Sequence, residues 1–463
     1  MAAPPDYLGT EPEEVPMTEP LDSLTARLLE AARRAGAEAA DAIAVRGTSL
    51  SIDIRERALE QAERAESLEV GLRVLLGGRQ ACVSASDVSA GTLSAMAERA
   101  VAMAREAPDD PFAGLADPAE IARGWDLVAL ELVDDSAEPS PAALEEDARA
   151  AEAAALAADG IFQVEASGGW SRREMHLAAT NGFAGGYARS SRSISAVAFT
   201  GSGTQMERDW AAETRIFGDD LPGAAEVGRL AAERALARVG SRKPPTGHFP
   251  VLYDERVAAS LMSHLLSAVN GATIARGGSW LRDALGAQIL PLHLSFIEDP
   301  LRPRTGSSRP FDGEGLPTRR RAIIEDGILT GWTLDLSTAR KLKMESTANA
   351  ARSTSQPPSP SVSNTELTQG TASRADLLAQ MGTGLLVTSL MGSSINGNTG
   401  DYSRGAAGFW VEGGEIAWPV NECTIAGNLR EMLRTIQPAN DARPHLSSRV
   451  PSLLVEGLTI AGA

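Results

Sequence analysis

Residues Met381–Leu429 read MGTGLLVTSLMGSSINGNTGDYSRGAAGFWVEGGEIAWPVNECTIAGNL. Glycines are denser here than anywhere else in the chain, and they are interleaved with apolar residues. Glycine is favoured where a backbone turns with positive φ or where another group comes close to it. Such a block is either a ligand cradle or a tightly turned β scaffold. Within it, Gly392-Ser-Ser-Ile-Asn-Gly397-Asn398-Thr399 nearly matches the phosphate loop G-x-x-x-x-G-K-[ST]. Asn398 replaces the lysine that would reach the phosphates, and no amphipathic helix follows to lend its N-terminal dipole. Asp401-Tyr-Ser-Arg-Gly instead forms a loop into the strand-like Gly408–Val411, and Gly413-Gly414 marks a hairpin. The scaffold reading wins over the cradle.

The segments before the block extend this reading. Thr347–Gly370 is rich in Ser, Thr and Pro and is expected to be a mobile loop. Arg321–Glu325 and Ile328–Trp332 are predicted to form a hairpin around Asp326-Gly327, a type I′ signal. Pro300–Pro317 is a long irregular stretch, Ile289–Phe296 reads as a strand, and a helix is predicted over Asp254–Ala268 after the strand Phe249–Tyr253. Ser241-Arg-Lys-Pro-Pro-Thr-Gly247 is the best domain boundary.

In the first half, Leu21, Leu24, Leu28, Leu29 and Ala32 predict a helix that ends at Gly36, with Asp22 or Ser23 as its cap. Strands are predicted at Asp41–Arg46, Ser49–Arg55, Leu68–Leu76 and Gln80–Ser84, with Gly77-Gly78 as a turn. A helix over Ala90–Arg105 places Leu93, Met96, Ala97, Ala100 and Met103 on one face. Helices are also predicted over Pro141–Ala158 and Ala224–Val239. Between them Phe162–Ser167, Glu174–Thr180, Gly185–Ser190 and Ile194–Thr200 read as an antiparallel meander. The expected fold class is α+β. A disordered tail (1–20) precedes an N-terminal domain (21–240), a mixed and largely antiparallel sheet with packed helices. A β-rich, antiparallel C-terminal domain (247–463) carries the loop 347–370.

Composition narrows the function. The chain has 463 residues and a formal net charge of −18. That disfavours nucleic acid, which needs clustered Lys and Arg, and anionic membrane surfaces. Two cysteines, Cys82 and Cys423, exclude a disulfide framework and fit a reducing compartment. The acidic, Pro-rich N-terminus is not a signal peptide and no apolar run could span a bilayer, so a cytoplasmic protein is expected.

The chemistry-bearing residues are few. His176, His248, His264, His293 and His445 include no pair within one helical turn, so no H-E-x-x-H ligand pair exists. His264 is expected to pack in a core or interface. Cys423, beside Glu422 and with no histidine near in sequence, reads as a buried structural cysteine rather than a nucleophile. Arg302, Arg304, Arg309 and Arg319–Arg321 form the only basic cluster. They read as solvated or interfacial charges ahead of an anion site.

Tyr253–Asn428 resembles the TldD/PmbA family, the modulators of DNA gyrase. The matching pieces are Pro310-Phe-Asp-Gly-Glu-Gly315, Ile323-Ile-Glu-Asp-Gly-Ile-Leu-Thr330, Ser337-Thr-Ala-Arg-Lys-Leu342, Met381-Gly-Thr-Gly-Leu-Leu386, Gly400-Asp-Tyr-Ser-Arg-Gly-Ala-Ala-Gly-Phe-Trp-Val411 and Thr424-Ile-Ala-Gly-Asn-Leu429. The first half agrees more loosely, through Thr180-Asn-Gly-Phe183 and its order of elements.

The resemblance implies a heteromeric zinc peptidase that cleaves unstructured peptides. The TldD branch carries H-E-x-x-x-H on a helix; the PmbA branch, or TldE, is its partner and lacks those ligands. Aligned on that motif, Ser263 and Ala268 replace the histidines and His264 replaces the general-base glutamate. Cys423 departs from the family pattern and adds no ligand. No catalytic or metal residue is therefore carried over, and zinc is expected in a TldD-like partner. Candidate peptide or partner contacts are Gly382, Gly384, Asp401, Tyr402, Arg404 and Gly405. The expected role is a non-catalytic subunit of a heterodimer, with a homodimer open to the chain alone. The alternative is a self-sufficient homodimeric peptide- or client-binding protein.

Overall fold

The structure, a computed structural model, describes residues 19–462. Most of the tail predicted over 1–20 lies outside the described residues.

Helix α1 (Leu21–Ala35) buries Leu21, Leu24, Thr25, Leu28 and Ala32, the three-and-four spacing of one helical face. It ends at Gly36, whose φ of 95° only glycine adopts readily. Neither Asp22 nor Ser23 caps its start. Pro20 holds that position and preorganises the chain there, while the Asp22 carboxylate accepts from the Ser23 amide.

One antiparallel sheet joins β1 (Ala39–Arg55), β2 (Ala58–Leu76), β3 (Arg79–Ala85), β4 (Ile161–Ala179), β5 (Ala184–Thr200) and β6 (Glu207–Arg215), in the order β3-β2-β1-β4-β5-β6. The meander predicted as four short strands is therefore two long ones, and β6 is an addition. Helices α2 (Ala90–Glu106), α4 (Pro141–Leu156) and α5 (Ala224–Leu236) cover one face with α1, and α3 (Leu127–Leu130) is a single turn. Even-numbered β1 positions feed this face: Ala42 and Ala44 meet α1 and α2, and Leu50, Ile52 and Ile54 meet α4 and α5. Met103, expected on the buried face of α2, is instead 48% exposed. The odd positions Ile43 and Val45 face the other way, onto Phe183 and Phe311, and tie the sheet to the second half.

The second half starts with β7 (Gly247–Tyr253), α6 (Glu255–Ala268) and α7 (Gly271–Ala275). A small sheet contains β8 (Phe296–Glu298), β9 (Arg321–Glu325), β10 (Ile328–Leu329), β13 (Thr365–Leu367) and β18 (Ser448–Arg449). The β9–β10 turn has φ of 46° at Asp326 and 77° at Gly327, as the type I′ signal predicted. The strand predicted over 289–296 is largely absent. Pro291 can give no ladder hydrogen bond, and only Phe296 enters β8. Residues 347–370, expected to be mobile, carry β11 (Ala350–Ala351), β12 (Ser359–Pro360) and β13, and bury Asn349, Asn364 and Leu367.

After α8 (Leu336–Leu342) and α9 (Arg374–Met381), the glycine-rich block forms β14 (Gly384–Ile395), β15 (Asp401–Glu412) and β16 (Glu415–Asn428). Then come α10 (Leu429–Arg434), β17 (Gln437–Pro438) and β19 (Leu453–Ala461). The strands run β16-β15-β14-β7-β19, and β16 also pairs with β19, so the sheet closes into a five-stranded barrel. Not every pairing is antiparallel: β7 with β14 and β13 with β18 are parallel. Tyr253, Leu261, Leu265, Trp410 and Ile425 fill the barrel side of the core.

Candidate functional site

β7 ends at Tyr253 and the chain turns into α6. Asp254 caps this helix by accepting from the Arg256 amide at 3.2 Å, and its own amide donates to the Val387 carbonyl at 3.0 Å. The turn removes the neighbour of β14. Up to Val387, β14 pairs with both β7 and β15; beyond it, among the described residues, only with β15. The β14 edge is thus open past Val387, where β15 still pairs with β16; these three strands form an arm, and Met391–Ser394 on it are exposed. Its register shifts twice, around Thr388 and around Gly392-Ser393. Bulges of this kind sharpen the twist of an arm and re-aim its side chains.

Helix α6 meets the arm at His264, among other contacts. The His264 ring stands edge-on to Tyr402, with centroids 5.8 Å apart, and the Tyr253 hydroxyl donates to that of Tyr402 at 3.4 Å. Arg404 Nε donates to the Gly392 carbonyl at 2.8 Å. Burial, reinforced by the Arg404 charge, pushes the His264 imidazole below its ordinary range and favours its neutral form. Its Nε2 is buried with no hydrogen-bond partner among the described residues.

Zinc does not fit this helix. Ser263 is exposed and spends its hydroxyl on the Ala259 carbonyl at 3.0 Å, while Ala268 is buried in the core. A serine hydroxyl committed to the helix backbone and an alanine methyl offer zinc no donor. Among the described residues no three His, Cys, Asp or Glu side chains come together as metal ligands would.

The six candidate contacts separate into two groups. Asp401, Tyr402, Arg404 and Gly405 lie together on the β15 side of the arm. Asp401 accepts from Thr399 Oγ1 at 2.6 Å and Asn428 Nδ2 at 3.0 Å, bonds that hold its carboxyl below the usual range and close the 396–400 turn. The near-phosphate loop is this hairpin turn. Tyr402 is only 2% exposed. Gly382 and Gly384 sit at the opposite end of β14, roughly 23 Å from the partner of Gly405 and roughly 36 Å from that of Tyr402 at about 3.3 Å per residue. Gly384 is buried against the Pro250 carbonyl, and the Gly382 carbonyl accepts from the Gly414 amide at 2.7 Å.

The other singled-out residues are structural. Burial pushes the Cys423 thiol up to about 11, and its Sγ donates to the Ala406 carbonyl at 3.2 Å. Arg302 donates to the Leu446 and Ser447 carbonyls, and Arg309 to those of Ala350 and Ser361. Arg304 pairs with Glu131 and Asp220, and Arg321 with Glu298. These arginines, expected to be solvated or interfacial, mostly staple loops together.

One cluster escapes sequence reading because it joins β6 to the 443–445 loop. Glu213 pairs with Arg443 and, at 3.4 Å, with His445. Burial and the charges of Arg215 and Arg443 depress His445 to about 4. Protonation of His445 therefore opposes folding. Its contribution is complete above about pH 6.5, the unfolded value, and is lost as pH falls towards 4. Urea midpoints are expected to fall over that window in the wild type and less steeply in His445→Gln.

Comparison with known proteins places this geometry. The domain family described as "PmbA/TldA metallopeptidase C-terminal domain" matches residues 246–462, and the corresponding domain 1 and central domain match 40–104 and 134–239. The chain is 36% identical over 441 residues to Metalloprotease PmbA of Escherichia coli O157:H7, covering 95% of each. It is 34% identical over 436 residues to a PmbA homologue of Haemophilus influenzae, covering 94% of each. A crystal structure described as a modulator of DNA gyrase, from Bacteroides thetaiotaomicron, superposes with a TM-score of 0.88 at 26% identity, covering 95% of this chain and 98% of that one. TldE from Thermococcus kodakarensis shares the fold, with a TM-score of 0.83 at 20% identity, over 95% of this chain and 100% of that one. No helix among the described residues is long and apolar enough to cross a membrane.

Proposed function

The chain belongs to the PmbA/TldD metallopeptidase family, and we propose that it is the non-catalytic subunit of a heteromeric enzyme of that family. The observation that carries this reading is the chemistry of α6. A serine, a histidine and an alanine stand at the aligned motif positions, with one of the two ligand positions exposed and the other in the core. Zinc and the general base then belong to a companion chain with H-E-x-x-x-H.

The role left to this chain is to hold an extended, unstructured peptide. The β14 edge beyond Val387 supports that role, because backbone groups on a strand edge accept any sequence by strand addition. The barrel itself offers no such edge, since its strands close on each other.

Purified alone, the chain is expected to contain no stoichiometric zinc and to leave casein intact. Mixed with an H-E-x-x-x-H companion, it should confer or enhance proteolysis that a chelator abolishes. Chelator-sensitive proteolysis by this chain alone would overturn the proposal. A companion that neither binds nor gains activity would favour the homodimeric binding reading instead.

A further inference from the structure

Opposite its helices, the N-terminal sheet carries a cavity of about 340 Å³ against the second half of the molecule. Strand register builds it: Arg173 lies directly across from Arg189, Ser171 from Ser191, and Met175 from Tyr187. Arg352 closes one wall, and no carboxylate of the described residues lines the space.

Like charges directly opposite each other on a sheet are destabilising. Here the repulsion is kept in a chain with 61 acidic and 43 basic residues, where acidic partners are plentiful. The Arg352 charge is met by Asp41 at 3.0 Å. Arg189 has no acid. It lies over the Tyr187 ring, donates from one nitrogen to the Ser308 carbonyl, and its Nε is buried without a partner among the described residues. Burial lowers its proton affinity, Tyr187 opposes this, and the nearby charges of Arg173 and Arg309 push the same way as burial. The Arg173 side chain is exposed and makes no ion pair or hydrogen bond among the described residues. Glu69 shares the face from β2 but accepts from Thr354 Oγ1 at 3.2 Å.

We infer that this cavity binds a carboxylate of a peptide, held between the Arg173 and Arg189 guanidiniums with the Ser171 and Ser191 hydroxyls beside it. A guanidinium fork matches the two carboxylate oxygens, and two forks facing each other supply the charge that an anion neutralises. That the ligand is a peptide rests on the proposed function; the carboxylate preference does not.

The carboxylate can be an α-carboxylate or an acidic side chain. Three capped dipeptides separate these sources in ligand-observed NMR titrations of the full chain: N-acetyl-Ala-Gln with a free α-carboxylate, N-acetyl-Ala-Glu-amide, and the neutral N-acetyl-Ala-Gln-amide. At least one acidic form is expected to bind about tenfold tighter than the neutral one, and Arg173→Gln and Arg189→Gln should each remove that advantage. Because Arg173 also repels Arg189, Arg173→Gln should raise the unfolding midpoint while it weakens binding, which a merely structural arginine would not do. Equal binding of all three dipeptides by the wild type, or an undiminished preference in both variants, would overturn the inference. The titration needs no companion subunit, so its failure and a failure of the proteolysis experiment are separate results.

Discussion

Asp41→Ala is expected to cost the fold about 3–5 kcal/mol, the usual penalty for removing one partner of a buried ion pair. Asp41 lies on β1 and is 3% exposed. Its carboxylate accepts from Arg73 Nε on β2 at 2.5 Å and from Arg352 Nε, in the second half, at 3.0 Å. Burial alone would push this carboxyl up; the two guanidiniums override it and hold it below the usual range. The arginine side chains are themselves buried, 4% and 1% exposed, so without Asp41 two cations lose their principal anion. Because Arg352 comes from the second half, urea unfolding should shift to lower concentration and also lose cooperativity between the halves. Asp41→Asn keeps the shape but not the charge and should fall between the two. A wild-type midpoint in Asp41→Ala would refute the assignment.

Gly408→Ala is expected to lose roughly 3 kcal/mol or more, at the upper end of overpacking costs. A Cβ there would stand 1.9 Å from the Leu386 carbonyl oxygen and 3.0 Å from the Thr388 amide nitrogen, both backbone atoms of the paired strand. Relief would mean opening the β14–β15 ladder. Gly405→Ala, three residues earlier on the same strand, makes the control. Its nearest neighbour would be the Met391 carbonyl at 3.3 Å, so the cost should stay below about 1 kcal/mol. Thermal melts of the two variants should differ by many degrees. Equal melting temperatures would show that the glycines of this block are interchangeable.

That contrast shows what was legible in the chain. Glycine density announced a β scaffold, and the dipeptides Gly77-Gly78, Asp326-Gly327 and Gly413-Gly414 all sit at hairpin turns, because left-handed φ is written locally. The length of β4 and β5 was not legible. Gly168-Gly169 and the serines at 190, 191 and 193 interrupt the apolar alternation; β4 persists there through pairing on both sides, and β5 through its ladder with β4. β6, with the sequence ERDWAAETR, has too few apolar residues to announce itself. At the candidate site, the residues of α6 were readable by resemblance. The arm edge was not, because it exists only where β7 stops. Nor was the face-to-face pair Arg173 and Arg189, which depends on the β4–β5 register.

Barrel closure has a consequence for biosynthesis. Tyr253 pairs with Leu453, roughly 200 positions later, and β16 meets β19 as well. Contacts so distant in sequence form late, after the shorter-range ladders have supplied their stability. On the ribosome, the N-terminal sheet can complete itself while β7 still waits for its neighbour. Until β19 emerges from the exit tunnel, β7 and β16 each keep an open flank, and the nascent chain is most vulnerable to misassociation during that interval. Chaperone dependence should therefore track the synthesis of the final strand.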